Sequence, residues 1–216
     1  MVATTAKSRS CEERRQHILD VAGEVFLQEG YAAASMSAIA ARLGGSKGTL
    51  YNYFTSKTEL FAAYMTRACV AYSEALLATT DDETPLYEAL RRLGVGFLTF
   101  ILRDEAMALS RLVVAEADRF PEVGEAFYET GPKQSTAILA DWMRRRMERG
   151  ELRRAEPETV ARQFFALCKS GPYTQRLWNV IPDVSPAAIE RHIAEQVEMF
   201  VAAYGARDQD PKPAYW

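Results

Sequence analysis

Residues 35–60 constrain the fold more than any other stretch, because they pack short helical periods between two abrupt breaks. Met36, Ile39, Ala40 and Leu43 recur at the spacing of one buried helix face. Gly44-Gly45 then stops the pattern, glycine being the residue that takes the left-handed backbone at little cost. A second short helix is expected over about 47–54, with Leu50 and Phe54 on one side. Ser56-Lys57-Thr58-Glu59 reads as a capping box at the head of a longer helix over about 57–77, which turns Leu60, Phe61, Tyr64, Met65 and Ala68 inward. Helices this short are marginal alone, so each must bury its apolar face against a neighbour.

The rest of the chain has the same helical character. Ile18, Val21, Ala22, Val25 and Phe26 form one apolar stripe, Gly30 is a plausible stop, and Ser35 is placed to cap the helix that follows. Further helices are expected over about 86–102, 106–117, 133–149, 157–178 (interrupted at Gly171-Pro172) and 186–204. Phe120-Pro121 and Gly131-Pro132 act as punctuation. No strict apolar-polar alternation competes, so the fold class is all-α, with about nine helices. The expected organisation is a small helical domain at 10–56, a larger one at 57–205 and a flexible tail at 206–216. The chain has 216 residues, 48% of them hydrophobic and 25% charged, enough for such cores. No run approaches the roughly 20 apolar residues of a membrane span. The first ten residues are polar and lack a signal peptide's apolar segment, so a soluble cytoplasmic protein without membrane partners is expected.

Catalytic chemistry finds little to build on. There is no GxSxG or HExxH pattern, and the carboxylate pairs Glu12-Glu13 and Asp81-Asp82 fall in surface segments. Cys11, Cys69 and Cys168 are far apart and His17 and His192 are isolated, so no metal site, catalytic set or cofactor is expected. GGSKGT at 44–49 resembles a phosphate loop only superficially, since its lysine precedes the glycine and no strand leads into it.

Charge placement is more telling than the net charge of −3. Between Glu29 and Glu59 there is no acidic residue, while Arg42, Lys47 and Lys57 lie within and Arg14 and Arg15 just upstream. The outward positions of the second short helix are Lys47, Gly48, Thr49, Tyr51, Asn52 and Tyr53. Small, hydroxylic, amide and cationic groups in an acid-free setting suit an approach to phosphates and base edges.

Two short helices about a tight glycine turn form a helix-turn-helix, and the details resemble the TetR family of bacterial regulators. The match runs through Ser35, Ile39, Ala40, Gly44, Ser46, Gly48, Leu50, Tyr51, Tyr53, Phe54, Ser56, Lys57 and Leu60. Leu43 and Gly45 depart from the family's usual Ala and Val; Gly45 gives up a small core contact. RLVVAEADRFPEVGEAFYETGP at 111–132 and the stretch on to Phe165 are similar to the AefR-like branch. The resemblance implies a homodimer that binds double-stranded operator DNA and is released, usually from repression, by a small-molecule effector. It implies phosphate contacts for Ser35, Ser37, Tyr51, Tyr53 and Lys57, with Arg14 or Arg15 in support. Lys47 and Thr49 are then the base readers, Gly48 permits close approach, and Asn52 shares the exposed face.

For the effector, Phe97, Phe100, Met107, Trp142, Phe164, Phe165, Cys168, Tyr173 and Trp178 offer pocket walls, though each also fits plain core packing, and Arg111, Glu116 and Asp141 fit either polar selectors or ion pairs. The resemblance further implies that the last two helices pair with their copies. Leu167, Ile193, Val197, Phe200 and Tyr204 are the interface candidates.

Overall fold

The computed structural model describes the backbone of residues 2–79 and 82–206 and the side chains of 11–69 and 82–206. Positions 80–81 of the expected acidic linker, and the expected tail from 207 onward, lie outside the described residues. The helices in chain order are α1 (Val2–Ala33), α2 (Met36–Arg42), α3 (Lys47–Tyr51), α4 (Lys57–Thr79), α5 (Leu86–Ile101) and α6 (Asp104–Glu116). They continue as α7 (Pro121–Thr130), α8 (Pro132–Glu148), α9 (Pro157–Lys169), α10 (Pro172–Leu177) and α11 (Pro186–Tyr204). Among the described residues these are eleven, and α7 and α10 are the two that the count of about nine leaves out. Both begin on a proline that reads as punctuation in the sequence. At the first helical position proline lacks only an N–H that would have no intrahelical partner, so it starts a helix as readily as it ends one. Among the described residues there is no strand, and no helix is long and apolar enough to cross a membrane.

The chain packs as two compact units. The first comprises 1–69 and 108–131, the second 70–107 and 132–216. By packing, the first unit reaches beyond residue 56, and the chain passes between units inside α4 (Cys69 to Val70), inside α6 (Met107 to Ala108) and between α7 and α8 (Gly131 to Pro132).

In the first unit α1 supplies Ile18, Leu19, Ala22 and Phe26 to a core completed by Ile39, Leu50, Phe54, Leu60, Phe61 and Tyr64, with Leu112 and Val123 from α6 and α7. Phe26 meets Phe61 edge-on at 5.1 Å, a favoured arrangement of ring quadrupoles. Gly30 leaves the helix with φ +82°, as its position as a stop required, and Tyr31–Ala33 follow as a separate turn. Ser35 caps α2 by accepting the Ala38 N–H at 3.1 Å.

In the second unit α5, α8, α9 and α11 enclose Leu90, Leu93, Leu98, Trp142, Met143, Phe164 and Phe200. α5 and α11 approach closely at Gly94, where any Cβ would lie 2.7 Å from Ile193 Cγ2. α8 ends on Gly150 (φ +72°), and the buried Arg146 stacks on Trp142 while donating to Glu151 at 2.7 Å and to the Thr84 carbonyl at 2.8 Å. Residues 151–153 tie back to the end of α11 through Arg153 N–H to Tyr204 O and Ala206 N–H to Glu151 O.

Candidate nucleic-acid interface

The turn between α2 and α3 is a Schellman motif. Gly44 N–H donates to Ala41 O at 3.1 Å, Gly45 N–H donates to Ala40 O at 3.2 Å, and Gly44 holds φ +64°. In such a turn the second position commonly packs an apolar side chain back onto the helix, and Gly45 supplies none. A small cavity of about 10 Å³ remains there, lined in part by Arg14, Ile18, Gly45, Ser46 and Thr49.

Ser46 starts α3 by accepting the Thr49 N–H at 3.2 Å, and its hydroxyl also pairs with Thr49 Oγ1 at 3.1 Å. The expected helix over 47–54 is shorter, Lys47–Tyr51, although Phe54 N–H still donates to Leu50 O at 3.1 Å. Leu50 and Phe54 are each 1% exposed and anchor this segment. Lys47, Gly48, Thr49, Tyr51 and Asn52 are exposed on its other side, and Tyr53 is half-buried. Ser35 and Ser37 are exposed at the start of α2. α1 braces the segment from beneath: the Arg15 guanidinium lies 5.2 Å from the Phe54 ring centroid, and the Cys11 thiol reaches Tyr53 Oη at 3.8 Å. Arg14, half-buried, stands beside the turn.

Two cations differ from the sequence reading. Lys57 does not present its ammonium outward. Its Nζ donates to Tyr31 O at 2.7 Å and to Ala34 O at 3.1 Å, over the Tyr31 ring at 4.2 Å. Burial lowers its pKa from the ordinary lysine value, while the nearby Glu116 and Glu122 act in the opposite direction. It holds the chain between α1 and α2 to the head of α4, a role with no signature in local sequence. Arg42 donates to Gln28 Oε1 at 3.1 Å and faces Glu29 at 3.9 Å, so its charge is partly spent at home. Among the described residues, Lys47 is exposed on α3 itself and Arg14 stands beside the turn that leads into it. The capping box forms with one change: Ser56 Oγ accepts the Glu59 N–H, but Glu59 reaches back to the N–H and hydroxyl of Thr55. Those hydrogen bonds hold the Glu59 carboxyl below the ordinary carboxylate pKa.

Residues 18–64 match the model of the bacterial regulatory proteins of the tetR family, and residues 88–206 match the C-terminal domain of AefR-like transcriptional repressors. The chain belongs to the TetR family of transcriptional regulators. Among curated relatives it is 40% identical over 97 residues to the HTH-type transcriptional activator FasR of Mycolicibacterium smegmatis, a match covering 43% of this chain and 42% of FasR. The matched part thus spans less than half of that relative's length. Among solved structures, a TetR-family regulator from Mesorhizobium loti superimposes with a TM-score of 0.80 at 28% identity, over 90% of this chain and 98% of its own. The flavonoid-responsive regulator FrrA superimposes with a TM-score of 0.76 at 30% identity, over 91% and 99%. The family is one of transcriptional regulators rather than enzymes.

In this TetR-family chain the residues singled out for an effector separate into groups. Trp142, Phe164 and Cys168 are fully enclosed in the second unit, and Phe97 and Phe165, 4.5 Å apart between ring centroids, lie just beneath its surface. Burial pushes the Cys168 thiol up to about 12. Met107 is buried, Phe100 and Tyr173 are half-buried, and Arg111 belongs to the first unit. The interface candidates need correction. Ile193, Val197 and Phe200 are each 0% exposed, enclosed by their own chain against α5 and α9, and so are not available to a second copy. Leu167 and Tyr204 keep part of their surface. The wide apolar face of α11 reads in sequence as surplus for a partner, but the same subunit consumes it.

Proposed function

We propose that this chain is a homodimeric, cytoplasmic regulator that binds a palindromic double-stranded DNA operator through α3 and is released from it, relieving repression, by a small-molecule effector. The observation that carries the reading is the recognition segment itself: a fixed apolar underside, Leu50 and Phe54, beneath an exposed face with no acidic group. Thr49 and Lys47 read base edges, Gly48 admits close approach, and Asn52 lies beside them. Ser35, Ser37, Tyr51, Tyr53 and Arg14 contact phosphates. Two such segments in a dimer address half-sites about 34–36 Å apart.

Release follows from a population shift, since an effector displaces the equilibrium only through its preference for one arrangement. Phe100 and Tyr173, which keep some exposure, are the first candidates to meet it, with the enclosed aromatic residues as supporting wall. The flavonoid response of FrrA, at 30% identity, supports an organic effector. Repression accords with the AefR-like match.

The test selects duplexes from a random DNA pool and measures their affinity against salt. A single inverted-repeat sequence should be enriched, with log affinity falling linearly in log salt. Lys47→Ala should weaken binding, and Thr49→Ala should relax preference at one base position. A pool that emerges unenriched would refute the reading.

A further inference from the structure

The two glycines of the α2–α3 turn are not alike. Gly44 needs the left-handed backbone that it adopts, whereas Gly45 lies outside that region, in a conformation open to other residues. Its surroundings supply the reason for glycine. Among the described residues, a Cβ built on Gly45 has one neighbour within 4 Å beyond the adjacent residues, Arg14 Nη2 at 3.6 Å. The head of Arg14, reaching over from α1, therefore rests against the bare glycine, where a turn of this kind commonly packs an apolar side chain back onto its helix. Ile18, Ser46 and Thr49 line the small cavity at the same place.

Arg14 also differs from other cations of its unit. Lys57 is drawn to two carbonyls, Arg42 to Gln28 and Glu29, and Arg67 to Asp20 at 2.7 Å. Among the described residues Arg14 makes no ion pair and donates no hydrogen bond. Its charge acts on the Tyr53 hydroxyl: the Cys11 contact raises that hydroxyl's pKa, and Arg14 opposes the rise. The side chain is nonetheless half-buried, with Ile18 one helical turn along the same face of α1. A long side chain held in this way has less freedom to lose on meeting a ligand than one loose in solvent.

We propose that Gly45 is a positioning residue for DNA binding: the side chain it lacks leaves the place in which the Arg14 guanidinium sits, over the turn, to take a phosphate of the duplex that α3 enters. The proposal rests on the DNA-binding reading above and gives a role to a glycine that its backbone does not require. Guanidinium suits the task because its planar fork donates two parallel hydrogen bonds to phosphate oxygens. Alanine at 45 preserves the arrangement, since its Cβ stands at an ordinary contact distance from Nη2. Valine does not, because its γ-carbons, one bond further out, compete with the guanidinium for the same volume. The glycine thus acts on DNA only through Arg14, and the two residues bind as one unit.

Binding of the full chain to the inverted-repeat duplex selected from the random pool, measured against salt, tests this. The proteins compared are wild type, Gly45→Ala, Gly45→Val, Arg14→Ala and the double variant Gly45→Val with Arg14→Ala, each checked for folding by far-UV circular dichroism and melting temperature. Gly45→Val and Arg14→Ala should each weaken binding at least about ten-fold at low salt. Each should also flatten the plot of log affinity against log salt by about one for every copy of Arg14 on the duplex. Gly45→Ala should bind as wild type does, and the double variant as Arg14→Ala does. The double variant separates a loss that passes through Arg14 from one caused by a displaced α3, which would add to it. Gly45→Val with an unchanged slope, a double variant weaker than Arg14→Ala by the factor that Gly45→Val costs alone, or Gly45→Ala as weak as Gly45→Val overturns the seat and leaves the DNA reading standing. So does Arg14→Ala that binds like wild type. A wild type that enriches no duplex overturns both.

Discussion

A Cβ built on Gly48 would touch only Ser46 Oγ, at 3.6 Å, an ordinary contact. Nothing in the fold of the isolated chain therefore requires glycine there, although glycine in a helix costs about 0.5–1 kcal/mol relative to alanine. On the proposed function, a need for glycine there would come from the DNA that α3 approaches. Gly48→Ala should raise stability by about 0.5–1 kcal/mol in urea denaturation while weakening affinity for the selected duplex. A variant that is more stable and binds equally well would remove Gly48 from the contact face. Residues such as Leu50 and Phe54 are legible in the sequence because their burial follows from period and position. Lys57 is not. Its spacing suits a phosphate contact, yet its ammonium is drawn to two carbonyls more than twenty positions upstream, and no local pattern announces a long-range partner.

At the level of elements, the helical class and most helix limits follow from apolar periodicity, which is a local property. The starts of α7 and α10 escaped because proline marks helix beginnings and endings alike. Which apolar stripe faces which neighbour is harder to read. The stripe of Ile193, Val197 and Phe200 has the width of a two-sided contact, and only the closeness of α5, permitted by Gly94, shows that one subunit fills it. Gly94→Ala should push α5 from α11 and cost about 1–3 kcal/mol, the usual penalty of overpacking. Two residues on, Gly96 has nothing within 4 Å of its Cβ position, so Gly96→Ala serves as the matched control and should not destabilise. Equal melting temperatures for the two variants would mean that the helices are not in such close contact.

For the whole molecule, a net charge of −3 coexists with a surface suited to a polyanion because the acidic residues avoid 30–58. Steering and contact depend on where charge lies. The central claim, that α2, α3 and the turn between them form the DNA-reading surface, is tested most directly by amide hydrogen exchange of the full chain with and without the selected duplex. Slowed exchange concentrated in residues 35–53 is the expected result. Protection that spares those residues and falls elsewhere, or no protection under saturating duplex, would contradict it.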